Sequence, residues 1–136
     1  MTELPCSANA LVVRTDFSSD AAWEALRLAL SSPSDDGFLA CVELVDDRQF
    51  AGVTAEEALS LLPIGYQHPL LVLADAVALA SEELPLVVVD LREEHGRCIR
   101  VVAGELWGIE NNLSISNMDF REFAGAVDED GVFRDF

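Results

Sequence analysis

The sequence predicts a single α/β domain over residues 1–136, with a mixed, mostly parallel sheet of about five strands, flanking helices and a C-terminal helical pair. The length of 136 residues fits one domain. Hydrophobic residues make up 51% of the chain, enough to form a buried core. Short apolar runs alternate with segments of helical periodicity, and this order is typical of strands joined by crossover helices.

The first third of the chain predicts a strand, a helix and a second strand. The β-branched apolar run at 10–17 is typical of a central strand. Ser18 or Ser19 is placed to cap the helix that follows, by accepting a hydrogen bond from one of its first free N–H groups. The buried face of that helix comprises Trp23, Leu26 and Leu30. After a polar loop, the run at 38–45 predicts the second strand.

The middle of the chain continues the pattern. Residues 54–57, Thr-Ala-Glu-Glu, match a capping box, and Pro63 ends the short helix that the box begins. The apolar runs at 69–75 and 84–91 predict a third and a fourth strand joined by a short helical crossover. A polar turn then predicts that 97–103 returns as an antiparallel partner of the fourth strand.

Two helices are expected at the C-terminal end, around 104–112 and 117–126. The second has apolar residues at the i, i+3, i+4 and i+7 positions of one helical face. These residues are Phe120, Phe123, Ala124 and Val127.

The charge of the chain is strongly negative. It contains 25 acidic residues against 8 basic ones, all of them Arg, and its formal net charge is −17. A field of this sign repels nucleic-acid phosphates and anionic lipid, and attracts basic partners or cations. We therefore expect neither nucleic-acid nor membrane binding. Because the acids are scattered from Glu3 to Asp135, acidity that serves only solubility or adaptation to a salt environment is the alternative explanation.

Targeting and cysteine patterns predict a soluble cytoplasmic protein. The N-terminus lacks the basic and apolar segments of a signal peptide, and no apolar run approaches the roughly 20 residues of a membrane span. Cys6, Cys41 and Cys98 lack the spacing of a disulfide framework or a zinc site. Cys41 lies in an apolar run and is expected in the core. We expect no cofactor, and a monomer or a homodimer.

Three carboxylates follow predicted strands. Asp16, Asp75 and Asp90 stand at or near the C-terminal ends of apolar runs. In open α/β sheets ligands bind at that edge, where neighbouring carboxylates can hold a divalent metal or act as general acid and base. Strand termination or helix capping by Asp is the alternative. These residues carry the hypothesis of a small enzyme or ligand-binding protein with an acidic, metal-binding pocket.

The segment 106–120, LWGIENNLSISNMDF, predicts a corner between two helices. Either Asn111 or Asn112 suits the end of the first helix, and Ser116 with Asp119, or Asn117 alone, suits the start of the second. Trp107 lies off the apolar stripe of the first helix, as an interface anchor would. Packing of Trp107 under Phe133 and Phe136 is the alternative. The candidate partner-binding residues are Trp107, Glu110, Asn111, Asn112, Asn117 and Asp119.

The segments LVVRTDFSSDAAWEAL, SPSDDGFLACVELVDD and 106–136 resemble a family of small acidic proteins, common in actinobacteria, that carries a domain-of-unknown-function label. The resemblance covers most of the chain and implies a stand-alone cytoplasmic domain without catalytic residues that could be transferred. The all-Arg basic residues fit a GC-rich genome. Size, charge and the lack of a catalytic motif make a non-enzymatic interaction protein, which binds a basic protein partner as immunity proteins or antitoxins do, the leading hypothesis.

Overall fold

The computed structural model describes residues 2–136, and these contain six strands and five α-helices. The strands are β1 (Ala10–Arg14), β2 (Val42–Val45), β3 (Leu70–Ala74), β4 (Pro85–Asp90), β5 (Cys98–Val102) and β6 (Val132–Phe133). The helices are α1 (Asp20–Ser31), α2 (Ala55–Ser60), α3 (Ala76–Ala80), α4 (Leu106–Ser114) and α5 (Phe120–Ala124). Short 3₁₀ helices cover Arg48–Phe50 and Ala103–Glu105. Among the described helices, none has the length and apolar character needed to cross a membrane.

All six strands belong to one mixed sheet in the order β2-β1-β3-β4-β5-β6, which confirms the α/β prediction. The sheet is only partly parallel: β1 runs parallel to β2 and β3, and β5 to β6, whereas β4 is antiparallel to both β3 and β5. A parallel crossover needs about a dozen residues or more. The connection 75–84 between β3 and β4 is shorter than this. Strand β4 therefore begins at the edge of the sheet where β3 ends, and runs antiparallel to β3.

Both faces of the sheet are covered next to β1 and β3, and every residue of these two strands is buried. One core contains Val12 and Val72 beneath α1, α3, α4 and α5. The other contains Leu11 and Leu73 beneath α2. Strands buried on both faces give continuous rather than alternating apolar runs, and this is why the sequence identified them so clearly.

The order of the strands reverses at β1. Helix α1 leads from β1 to β2 over one face of the sheet, and α2 leads from β2 to β3 over the other. Where successive crossovers lie on opposite faces, the carboxyl ends of the neighbouring strands separate and leave a crevice. The ends of β1 and β3 therefore form the expected ligand-binding edge.

The second strand is shorter than predicted because side chains of α4 take its hydrogen-bonding groups. The Cys41 N–H donates to Glu110 Oε1 at 2.7 Å, and Asn111 Nδ2 donates to the Leu39 carbonyl at 2.9 Å. Residues 38–41 lie outside the strand, although the Cys41 carbonyl still accepts from the Ala10 N–H of β1 at 3.1 Å. Cys41 is exposed, so its predicted place in the core was wrong.

Helix boundaries largely follow local capping chemistry. The Ser19 hydroxyl accepts from the Ala22 N–H at 3.1 Å, and the capping box at Thr54 is confirmed. The last helix begins later than predicted, with Asp119 as its N-cap and the carboxylate of Glu122 accepting from the Asp119 N–H at 2.7 Å. The capping box predicted between Ser116 and Asp119 was therefore wrong.

Candidate functional site

The three carboxylates predicted as a metal or catalytic site are not brought together. Because β4 is antiparallel to β3, Asp90 pairs with Leu70 at the start of β3 and lies at the opposite edge of the sheet from Asp16 and Asp75. Its buried carboxylate accepts from the N–H groups of Arg92, Glu93 and Glu94, and so holds the turn between β4 and β5. Within residues 2–136, no group of three or more His, Cys, Asp or Glu side chains could hold a metal ion.

Asp16 and Asp75 do share a crevice at the carboxyl ends of β1 and β3. Its volume of about 700 Å³ lies within the usual range for small-molecule sites. Four polar side chains line it: Thr15, Asp16, Thr54 and Asp75. The larger apolar side chains of the wall are Phe17, Val53, Leu73, Val77 and Val87. The crevice is therefore mainly apolar, and its two carboxylates are those of Asp16 and Asp75, which follow the ends of β1 and β3.

Asp75 is already engaged by the protein. Its two carboxylate oxygens accept from Arg100 Nη1 and Nη2 at 3.0 and 2.8 Å, and Oδ1 also accepts from the Ala78 N–H at the start of α3. Burial alone would raise the pKa of Asp75, but the guanidinium and the N–H together hold that pKa below its usual value. Asp75 therefore acts as an ion-paired helix cap, as the alternative interpretation of the sequence proposed.

The two threonines of the crevice are also engaged. Thr15 Oγ1 donates to the Ala74 carbonyl at 3.4 Å, and Thr54 Oγ1 donates to Glu57 Oε1 at 3.1 Å. The carboxylate of Asp16 accepts one hydrogen bond, from Ser18 Oγ at 2.8 Å, and forms no ion pair with a described residue. Among the polar side chains of the crevice, Asp16 alone retains an unneutralised charge.

Arg14 holds the backbone on which Asp16 stands. Its nearly buried guanidinium donates from Nε to the Asp16 carbonyl at 3.0 Å and pairs with Asp20 and Asp46 at 2.8 and 3.2 Å. It also lies 4.4 Å from the centre of the Phe17 ring, at cation–π distance. Arg14 was not predicted as a site residue, although a charged side chain inside an apolar strand was a signal for one.

Glu110, a predicted partner-binding residue, is buried rather than free. Its Oε2 lies 3.0 Å from His68 Nε2, and its Oε1 accepts from the Cys41 N–H and from Asn111 Nδ2. Burial by itself would raise the pKa of Glu110, but these hydrogen bonds, led by that from His68, hold the pKa below its usual value. The assignment of Glu110 to a partner surface was therefore wrong, since its carboxylate has no access to a partner.

The other polar residues of the segment build the corner between α4 and α5. The Asn112 carbonyl accepts from the Asn117 N–H at 2.8 Å, and their side-chain amides are joined at 2.8 Å. Asp119 caps α5, and Asn111 anchors the Leu39 carbonyl. These contacts match the helix corner that the sequence predicted, but the predicted caps were wrong. Helix α4 continues to Ser114, and Ser116 rather than Asn111 or Asn112 takes the left-handed conformation. Asp119 rather than Asn117 caps α5.

Trp107 remains a candidate for contact with a partner. It packs against Phe38, which the sequence did not indicate as its neighbour. Its ring stacks on Phe38 with centroids 5.2 Å apart and planes 11° from parallel, while Phe133 and Phe136 pack on Phe123 instead. Phe38 and the adjacent Leu39 are 49% and 44% exposed. The alternative in which Trp107 packs under the C-terminal aromatics was wrong.

Two exposed carboxylates precede the stacked rings. Asp35 and Asp36 lie in a tight turn in which the Ser34 hydroxyl accepts from the Phe38 N–H at 3.0 Å. We define the aromatic–acidic surface as Asp35, Asp36, Phe38, Leu39 and Trp107. The sequence did not assign Phe38 to a site, because its apolar neighbours placed it in a strand.

The family model described as Domain of unknown function (DUF6924) matches residues 9–136. The chain belongs to this family. No curated protein sequence matches the chain. The DUF6924 match starts next to β1 and ends after β6, so it includes both the crevice and the aromatic–acidic surface.

Proposed function

We propose that this DUF6924 protein is a non-enzymatic binding domain that recognises a basic segment of a protein partner through its aromatic–acidic surface. The observation that carries the proposal is the stack of Phe38 on Trp107 beside the exposed Asp35 and Asp36. The face of an aromatic ring attracts the guanidinium of Arg or the ammonium of Lys. A partner side chain that lies on these rings would also find carboxylates to pair with its charge.

The charge distribution supports a cationic partner. Six of the eight Arg side chains are ion-paired with the protein's own acids, namely Arg14, Arg27, Arg97, Arg100, Arg121 and Arg134. The net charge of −17 already includes all eight Arg, so the field of the whole chain is negative. Such a field accelerates the encounter with a basic protein and makes the association rate sensitive to salt.

The surface is also held in place before a partner arrives. Phe38 follows a turn closed by hydrogen bonds with Ser34, the Leu39 carbonyl is held by Asn111, and Trp107 belongs to α4. Ordering flexible side chains and loops on association reduces affinity. A preformed pair of rings avoids much of that loss.

Site-specific photo-crosslinking in the host cells tests this proposal. Benzoylphenylalanine at position 39 is expected to form an adduct with one basic protein, and D35N/D36N is expected to reduce the yield of that adduct. Position 64 is the matched control, because Ile64 is a fully exposed apolar residue outside the aromatic–acidic surface. Identical adducts from positions 39 and 64, or an adduct only with an acidic protein, would contradict the proposal.

We also propose a cytoplasmic location in an actinobacterial host. All three cysteines are free and exposed, and free thiols are typical of a reducing compartment. The use of Arg for every basic residue fits a GC-rich genome. Cell fractionation with an antibody against the chain tests the location directly.

A further inference from the structure

We propose that the crevice at the ends of β1 and β3 binds a small organic cation, an amine or a guanidine with an apolar body, which pairs with Asp16. This site is separate from the aromatic–acidic surface, and the inference does not depend on the protein partner. It names both the location and the chemical class of a second ligand for the chain.

The position of the crevice is the first argument. It opens where the strand order reverses at β1, with α1 and α2 on opposite faces of the sheet. Open α/β sheets bind their ligands at this place because the diverging crossovers leave space there. The volume of about 700 Å³ accommodates a small molecule rather than a single ion.

The charge that remains in the crevice is the second argument. Asp75 is neutralised by Arg100, and the two threonine hydroxyls of the crevice are engaged by a backbone carbonyl and by Glu57. Asp16 has no ion-pair partner among the described residues, and no Arg lines the crevice. The crevice therefore presents one negative group to a ligand, and that group selects a positively charged one.

Asp16 is held in position for this role. Its carbonyl accepts from Arg14 Nε at 3.0 Å, and its carboxylate accepts from Ser18 Oγ at 2.8 Å. The half-buried carboxylate thus stands at the end of β1 without an internal ion pair. A charge-assisted hydrogen bond to a ligand N–H would use its remaining lone pairs.

The apolar wall distinguishes an organic cation from a metal ion. Leu73 and Val53 are buried at the base of the crevice, and Val77, which is 57% exposed, lies at its rim. Magnesium requires about six oxygen ligands in a regular arrangement and calcium requires six to eight. A crevice with one available carboxylate and aliphatic walls fits an ammonium or guanidinium group with a hydrocarbon body better than either ion.

Amide chemical shifts in the ¹H–¹⁵N spectrum of the full chain test this inference. The probes are phenethylamine and benzylguanidine, with 2-phenylethanol as the neutral analogue and 3-phenylpropionate as the anionic one. We expect saturable shifts at Asp16, Gly52 and Val77 with the two cations. The alcohol and the anion are expected to bind at least tenfold more weakly, because they cannot form the ion pair.

The D16N variant is expected to raise the Kd of both cations about tenfold, since it removes the negative charge and leaves a neutral acceptor in place of a charge-assisted one. E129Q removes the same charge at an exposed residue outside the crevice and is expected to leave the Kd within twofold. The inference is overturned if neither cation shifts these amides, or if D16N binds as the unchanged protein does. Saturable shifts of the same amides with Mg²⁺, lost in D16N, would overturn it in favour of a metal site.

Discussion

The imidazole of His68 donates from Nε2 to Oε2 of Glu110 across 3.0 Å, with both side chains less than 5% exposed. The direction of the hydrogen bond follows from the backbone, because the Leu70 N–H donates to Nδ1 and leaves the ring proton on Nε2. The pair joins the segment before β3 to helix α4. Through the Cys41 N–H it also holds the chain that enters β2.

We predict that E110Q lowers the free energy of unfolding by about 2–4 kcal/mol, because the buried donors around Glu110 lose a charged acceptor. The amide would in addition direct an NH₂ group toward either His68 or Cys41. Urea denaturation measures the loss, with E129Q as an exposed control of equal charge change. A difference between E110Q and E129Q below about 0.5 kcal/mol, the usual range for surface substitutions, would contradict a structural role for the pair.

The stabilisation from Glu110 is expected to depend on pH in a defined direction. The pKa of Glu110 is lower in the folded protein than its ordinary value of 4.5. A depressed folded pKa contributes stability that is fully present above the unfolded pKa and is lost as pH falls through the folded pKa. The stability difference between the unchanged protein and E110Q should therefore shrink as the pH falls below about 4.5. Urea midpoints measured from pH 3 to 7 test this, and a difference that grows on acidification would be the wrong sign.

Those parts of the fold that depend on local chemistry were predictable from the sequence. Strands β1 and β3 were evident because residues buried on both faces give unbroken apolar runs, and Thr54 and Ser19 satisfy neighbouring N–H groups within their own segments. The direction of β4 was not predictable in this way. It depends on whether the connection after β3 brings the chain back antiparallel to β3 or crosses the sheet to a parallel strand. Strand β6 has two residues, too few for a periodic pattern.

The candidate sites were only partly predictable, because each depends on contacts between distant segments. Asp16 and Asp75 line the same crevice because β1 and β3 are parallel neighbours, whereas the antiparallel β4 places Asp90 at the other edge. The burial of Glu110 did have a sequence signal, because it follows Leu106 by four residues on the apolar face of α4. The stack of Phe38 on Trp107 had none, since 69 residues separate the two rings in the chain.

Substitutions at Asp75 should separate its two roles. D75N keeps a side-chain oxygen for the Ala78 N–H and loses the charge that pairs with Arg100, whereas D75A loses both. Because a partly exposed ion pair contributes about 0–1 kcal/mol and a cap about 1 kcal/mol, we expect D75A to cost about 1 kcal/mol more than D75N. Urea denaturation of the two variants measures this difference. Equal losses would mean that the cap at α3 contributes nothing measurable.

Salt should stabilise this protein rather than weaken it. At a net charge of −17, repulsion among carboxylates acts over the whole surface, and the screening length falls from about 10 Å at 0.1 M salt to about 3 Å at 1 M. Screening also weakens exposed ion pairs such as those of Arg134 with Glu83 and Asp130, but the carboxylates without an ion-pair partner outnumber the six paired Arg. We therefore expect the urea midpoint to rise between 0.1 and 1 M NaCl.

NaCl is preferable to sulfate in this experiment, because sulfate stabilises proteins through exclusion from their surface. In E82Q/E129Q, which lacks two exposed carboxylates, the rise should be smaller. A midpoint that falls with NaCl would mean that the loss of the ion pairs outweighs the relief of repulsion among the carboxylates.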